Sequence, residues 1–273
     1  MAGPLRARAA TAPRRAIATA PARSAHAPDR GRTRAGAGAG PFVAETADVH
    51  ESATLGPGAV VLDGATVGAR AVVGANSVVG EGVSIGEDTT LGFGVKLSNC
   101  TVGARCTLHH GVCVGQDGFG FYFDESEGRV VKVPQTLAVV IGDDVELGAN
   151  TCVDRGSKRD TVIGNGAKLD NLVQVGHNAH VGEHCILCAH VALGGSSTLG
   201  ERVVMGGKSA VADHVQVAPR SRIAAKAGVI KDVAEPGHDH GGFPAMRASL
   251  WRRQVALLRR MVTRGPENSV ESM

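Results

Sequence analysis

The chain has 273 residues, 43% of them hydrophobic, with 38 glycines and only eight aromatic side chains. This excludes a collagen, which needs glycine at every third place, and a polar disordered chain, and it implies a core of small aliphatic groups packed in a regular way. The formal charge of +3 is uneven, because residues 1–40 hold eight arginines against the single acid Asp29 and everything after them is acidic on balance.

That first segment, MAGPLRARAATAPRRAIATAPARSAHAPDRGRTRAGAGAG, has no lysine and no apolar run able to act as a secretory signal or a membrane span. A basic, alanine-rich, acid-poor leader is the composition of an organellar transit peptide, with the mitochondrion as the first expectation and the plastid as the second. AGAGAGP at 35–41 reads as a flexible junction. Six cysteines without a secretory signal predict reduced, mostly buried thiols.

From Ala53 the sequence divides into blocks of six, ATLGPG, AVVLDG, ATVGAR, AVVGAN, SVVGEG, VSIGED, with an aliphatic residue third in each. The anchors run from Leu55 through Leu97, resume at Val102, Leu108 and Val114, return at Ile141, Leu147 and Val153, and continue unbroken from Ile163 to Val229. The residue two before each anchor is always Ala, Ser, Thr, Val or Cys. A helix needs a period near 3.6 and a sandwich needs turns every eight to twelve residues, so neither fits. Short parallel strands, three hexads to a triangular coil, do fit, and the fold class is an all-β left-handed parallel β-helix of hexapeptide repeats with a short C-terminal α-helical segment. The 26 hexads predict eight to nine coils. The expected organisation is a leader at 1–40, the β-helix at 41–232 and a helical extension at 233–273. The flat faces of such a prism favour burial between copies, and a homotrimer is expected.

Two interruptions break the period. Residues 115–138 leave the coil as a loop carrying Phe119, Phe121, Tyr122 and Phe123, half of all the aromatics, and long loops on rigid scaffolds often carry function. DRGSKRD at 154–160 is charged and is expected to protrude. Beyond Asp232 the period stops, and Ala245 to Val262 show helical spacing of Met246, Leu250, Leu257, Leu258 and Met261, with Arg247, Arg252, Arg253, Arg259 and Arg260 on the other face. That face is either simply solvated or a docking site for an acidic partner.

Between Gln174 and His190 lie four histidines and two cysteines. Placed in register, His177, His180, His184 and His190 fan around the prism instead of converging, so a zinc site within one chain is disfavoured, and no metal ligand is assigned. Residues eighteen apart stack. Gly195 lies one coil from His177, His214 two coils away with an offset of one, and Asp170 seven residues earlier. An imidazole, a carboxylate to orient it and an accessible glycine N–H are the parts of a general-base acyl-transfer site.

DGFGF at 117–121, KVPQ at 132–135, VIGDDVELGANTCVDRG at 140–156, TVIGNGAKLDNLVQVGHN at 161–178, and GGFP followed by Trp251 and Arg252 resemble the UDP-3-O-(3-hydroxyacyl)glucosamine N-acyltransferases of lipid A synthesis. The resemblance implies that His177 is the general base, Asp170 its supporting carboxylate, Gly195 the oxyanion donor and His214 a second active-site histidine. It also implies substrate contacts at Asp117, Phe119, Gly120, Phe121, Gln135, Asn171 and Lys231. The implied donor is acyl carrier protein, met by Arg252, Arg253, Arg259 and Arg260, and the acceptor is a UDP-3-O-acylglucosamine. Neither a cofactor, nor a nucleic acid, nor a membrane span is expected. Members of that family ordinarily carry a separate uridine-gripping domain ahead of the coils, where this chain has the Arg/Ala leader. The residues leave two other readings open, a zinc protein of the γ-carbonic-anhydrase type and a non-catalytic hexapeptide-repeat scaffold.

Overall fold

The computed structural model describes residues 40–242 and 247–263. Residues 1–39, most of the proposed leader, and Phe243, Pro244 and Met246 from the C-terminal motif lie outside them. Each hexad forms a strand of two to four residues, and successive strands fall on three different faces. The first face has ten strands, from Phe42–Val43 to Gly228–Val229, the second has nine, from Asp48–Val49 to Gln216–Val217, and the third has ten, from Thr54–Leu55 to Asp239–His240. All rung pairings are parallel, and in the uninterrupted coils each residue pairs with the one eighteen ahead, as in Gln174 with Ala192 and Ala192 with Ala210.

The predicted anchors fill the interior: Val61, Leu91, Leu108, Leu147, Val175, Leu187 and Met205 are fully buried. Leu55 is only partly buried because the coils beside it are near the end of the stack. The small inward position is set by space at the triangle's corners. Where it is polar the hydroxyl commonly turns onto a turn carbonyl, as from Ser77 to Gly92 O at 2.8 Å, Thr89 to Gly103 O at 2.8 Å and Ser209 to Gly206 O at 2.7 Å, which offsets the cost of burial there, whereas Ser221 Oγ is buried without a partner.

The coil extends further than the repeat pattern shows. Two strands, Phe42–Val43 and Asp48–Val49, precede the Ala53 series, and Asp239–His240 adds to Arg222–Ile223 after the period has lapsed. These end rungs escape the pattern because their side chains are exposed or half-buried and need not be aliphatic at the anchor position.

The 115–138 excursion is ordered: Phe121–Asp124 and Arg129–Lys132 pair as an antiparallel hairpin, with Gly128 at φ 61° closing its turn. DRGSKRD does not stand free. Asn178, itself buried at φ 59°, accepts the backbone N–H groups of Ser157 at 2.7 Å and Lys158 at 3.0 Å, while Arg159 Nε donates to Asn178 O at 2.7 Å. The helix spans Ala248–Thr263, and Leu250, Trp251, Leu257, Leu258 and Met261 are all exposed on it.

Candidate active site

The corner between the first and second faces carries the chemistry. His177 follows Gly176 at the end of the strand Gln174–Val175, at the first position of the turn, and Asn178 takes the left-handed position. Because the coils are in register, Gly195, Asp213 and Lys231 stand in the same column at successive rungs, whereas Ser196 and His214 stack over Asn178 in the neighbouring left-handed column. Left-handed backbone suits Asn and tolerates His better than branched residues, which accounts for His184, His190 and His214 as turn residues at φ 56°, 62° and 64°.

A pocket of about 430 Å³ opens at this corner, lined by Asp117 and Phe119 from the excursion, Asp154, Gln174, Gly176, His177, Gly195 and Asp213. His177 is half-buried, and its imidazole is held between two glycines. A Cβ at Gly195 would lie 2.5 Å from its Cε1 and 2.9 Å from its Nε2, and one at Gly118 would lie 2.5 Å from its Cβ. Side chains at either place would expel the ring from its position. Gly118 also borders Gln135, which is 5% exposed, donates from Nε2 to Val133 O at 2.9 Å and leaves Oε1 buried without a partner.

The expected residues are only partly brought together. His177, Gly195, Asp117 and Phe119 share the pocket, with Gly120 and Gln135 behind them in the excursion. Phe121 packs edge-on against Phe119 at 4.9 Å between centroids, and Phe119 is 86% exposed, a large apolar ring held in water at the pocket mouth. Asp170 and Asn171 sit at a different corner of the prism, between the third and first faces. The Asp170 carboxylate accepts Asn171 N at 2.7 Å and Ala189 N at 3.0 Å, and Asn171 Oδ1 accepts Ala149 N at 2.7 Å, so within one chain they serve turns and do not reach His177. Lys231 is three rungs from His177, about 14 Å at the usual strand spacing. His214 keeps the expected offset of one and stacks over Asn178, and the residue two full coils above His177 is Asp213.

Asp213 changes the reading of Gly195. The Gly195 N–H donates to Asp213 Oδ1 at 2.9 Å, so the expected oxyanion donor is bonded to a carboxylate. Sequence reading missed Asp213 although its spacing of 36 from His177, two full coils, was the available signal. It also passed over Asp154, whose place in the pocket depends on the four-residue insertion after it. Asp154 is half-buried, accepts Gln116 Nε2 at 2.8 Å and Gln174 Nε2 at 3.1 Å, and its carboxyl is pushed up mainly by burial, with the two amides and the nearby His177 opposing that. Asp117 is paired with Lys132. Among the described residues no three of the His, Cys, Asp and Glu side chains are grouped so as to hold a metal ion, and His180 is held below the usual imidazole range by burial and by Arg159.

A wider groove of about 830 Å³ continues from Asp154 and Gln174 down the first face, past Gln116, Cys113 and Cys152 to Val78 and Leu62. Arg252, Arg253, Arg259 and Arg260 all lie on the exposed C-terminal helix, Arg252 Nε turning back to Ala248 O at 3.1 Å. No helix among the described residues is long and apolar enough to cross a membrane.

The bacterial transferase hexapeptide family (six repeats) matches residues 46–81 and 160–195, and the hexapeptide repeat of succinyl-transferase matches 138–171. Over 163 residues, 60% of this chain, there is 50% identity to the probable UDP-3-O-acylglucosamine N-acyltransferase 2, mitochondrial, of Arabidopsis thaliana, covering 53% of that protein. Over 180 residues, 66% of this chain, there is 42% identity to the UDP-3-O-acylglucosamine N-acyltransferase of Methylorubrum extorquens, covering 50% of it. The chain thus spans about half the length of the curated relatives it matches. Among solved structures, the UDP-N-acetylglucosamine acyltransferase of Francisella novicida is similar with a TM-score of 0.56 at 24% identity, covering 78% of this chain and 73% of that one. The Campylobacter jejuni enzyme of the same name gives 0.54 at 22%, covering 80% and 82%. At these identities the likeness concerns the fold, which is the left-handed β-helix. The matched repeats, the coil and the sequence identity together make this chain a hexapeptide-repeat protein homologous to the UDP-3-O-acylglucosamine N-acyltransferases.

Proposed function

We propose that the chain is an N-acyltransferase that moves a 3-hydroxyacyl group from acyl carrier protein to the 2-amino group of a UDP-3-O-acylglucosamine, in the synthesis of a lipid A type glycolipid within an organelle. The observation that carries this reading is His177, pinned between Gly118 of the DGFGF segment and Gly195 in a pocket open to solvent. In the reaction the amine nitrogen attacks the thioester carbonyl while His177 takes a proton from it. The new C–N bond forms, the C–S bond breaks, and the imidazolium returns its proton to the departing thiolate. Asp117, Phe119, Gly120, Phe121 and Gln135 would shape the substrate end of the pocket. Asp170 and Asn171, at another corner, would reach it only from a second copy, which favours the homotrimer. The Gly195 N–H would serve the oxyanion only after Asp213 releases it.

The full chain, incubated with 3-hydroxyacyl-carrier protein and UDP-3-O-acylglucosamine, should give the amide product by mass spectrometry. His177→Ala should lower the rate by roughly 10²–10⁴, the usual share of general-base catalysis. Absence of product, or equal product from His177→Ala, would sink the reading. Near-stoichiometric zinc whose removal abolishes activity would transfer it to the metalloprotein class.

A further inference from the structure

We propose that Asp154 is the positioning residue of the site, orienting His177 and supplying the countercharge for the imidazolium that forms as it accepts the amine proton. The inference rests on the reading of His177 as base and names a carboxylate that the sequence did not single out.

Position comes first. Asp154 ends the strand Cys152–Asp154, and the pairing of Val153 with Val175 sets it beside Gly176, one residue before His177. Gly176 has no side chain, and none fits, since a Cβ there would come 2.9 Å from Gly195 N. Asp154 and His177 therefore border the same pocket with no side chain from Gly176 between them.

The charge environment comes second. Asp154 is held by two amides, Gln116 Nε2 on one oxygen and Gln174 Nε2 on the other, which fix the carboxylate without neutralising it. Among the described residues no lysine or arginine forms an ion pair with it. Arg155, its chain neighbour, donates Nε to Leu137 O at 2.6 Å, and Lys132 is engaged with Asp117. His177 is the one group whose positive charge favours the ionised form, while burial opposes it. The other carboxylates stand elsewhere: Asp213, bonded by the Gly195 N–H, is two rungs above His177, Asp170 bonds the N–H groups of Asn171 and Ala189 at its own corner, and Asp117 is paired with Lys132. A half-buried carboxylate clamped only by neutral donors gains most when the imidazole beside it becomes positive, the moment at which the barrier is crossed.

The test is Asp154→Asn, which keeps the shape and removes the charge. Expected is a fall in kcat on the order of 10²–10⁴ with KM within about twofold, and stability to denaturant equal to or above wild type, because a half-buried charge has gone. Combined with His177→Ala the losses should not multiply, since one residue acts through the other. Wild-type kcat in Asp154→Asn overturns the proposal. So does a loss of stability alongside activity, which is a structural role, or multiplying losses with a raised KM, which is a direct substrate contact. Should Asp154→Asn not fold, Gln174→Met releases one carboxylate oxygen from an exposed position: kcat lower by about tenfold at unchanged KM supports the proposal, and wild-type kcat overturns it. His177→Ala alone monitors the underlying reading, because wild-type turnover in it removes the base and not merely its partner.

Discussion

Gly195→Ala separates two roles that one residue would otherwise confuse, space for the imidazole and donation to an oxyanion. The residue is buried, and its φ is not in the left-handed region, so alanine brings no backbone penalty. The three nearest atoms to the new methyl would all belong to the His177 ring, at 2.5, 2.9 and 3.0 Å. Ordinary carbon contact needs about 3.5–4.0 Å, so the ring must withdraw by about 1 Å, and a displacement of that size at a reacting group costs on the order of 10² in rate. The N–H and its bond to Asp213 are retained, so the oxyanion argument is left constant. Steady-state transfer kinetics with acyl carrier protein as donor should show kcat reduced about a hundredfold, and denaturant unfolding should show a stability change below about 1.5 kcal/mol, because a half-buried ring can move outward. An alanine variant with wild-type kcat and an unmoved His177 resonance set would refute the geometry on which the base assignment depends.

Asn178→Ala strips the acceptor from Ser157 and Lys158 and puts alanine at φ 59°, and should lower unfolding free energy by about 2–4 kcal/mol in denaturant titration. Burial pushes the Cys100 thiol up to about 12 and that of Cys185 to about 11, so at pH 8 both should resist alkylation until the protein unfolds; prompt native labelling of either would contradict the packed interior. Charge reversal at Arg252 and Arg253 should raise KM for acyl carrier protein and flatten its salt dependence, and unchanged kinetics would return the helix to a structural role. Residues 1–40 fused to a fluorescent protein should enter an organelle, mitochondria first, whereas a diffuse cytosolic signal would remove the targeting proposal.

The coil was legible because its signal is redundant. Leu187 and Cys185 repeat a demand that Val181 and Ala179, and Leu193 and Val191, also state, and a period of six read many times over tolerates local exceptions. The hairpin at 121–132 was not legible, since its exposed aromatics lack the alternation of a half-buried strand and its order comes from pairing, Phe121 with Lys132 and Phe123 with Val130. At the site, His177 and Gly195 could be found by counting eighteen. His214, 37 residues from His177, keeps the one-residue offset that the count gives and stands in the column of Asn178, while the step of 36 that stays in the column of His177 ends on Asp213, which the count passed over.

Regularity also explains why the pocket lies where it does. A perfect stack of hexads stacks each corner group directly over the next, and a turn residue such as His184 then meets only the turns above and below, as its N–H does at Asn165 O. His177 has more neighbours because both departures from the period occur just beneath it. The excursion after Gln116 brings Gly118 and Phe119 over the corner, and the insertion after Asp154 replaces the usual tight turn with residues 157–159 drawn onto Asn178. With that turn displaced, Asp154 remains at the edge of the corner as a clamped carboxylate instead of becoming one more stacked turn residue. The uniform coils supply rigidity and the two breaks supply the chemistry, so closing the second break is the sharper perturbation of the site. Deleting Ser157 to Asp160, the four exposed or half-buried residues between the hexads, should restore an eighteen-residue rung with little loss of core, since none of them packs inside. It would free Asn178 of its acceptor role and close a tight turn straight after Arg155, the residue that the pairing of Val153 with Val175 already sets level with His177, so a cation is fixed beside the imidazole and the shortened chain should fold yet lose turnover in the transfer assay.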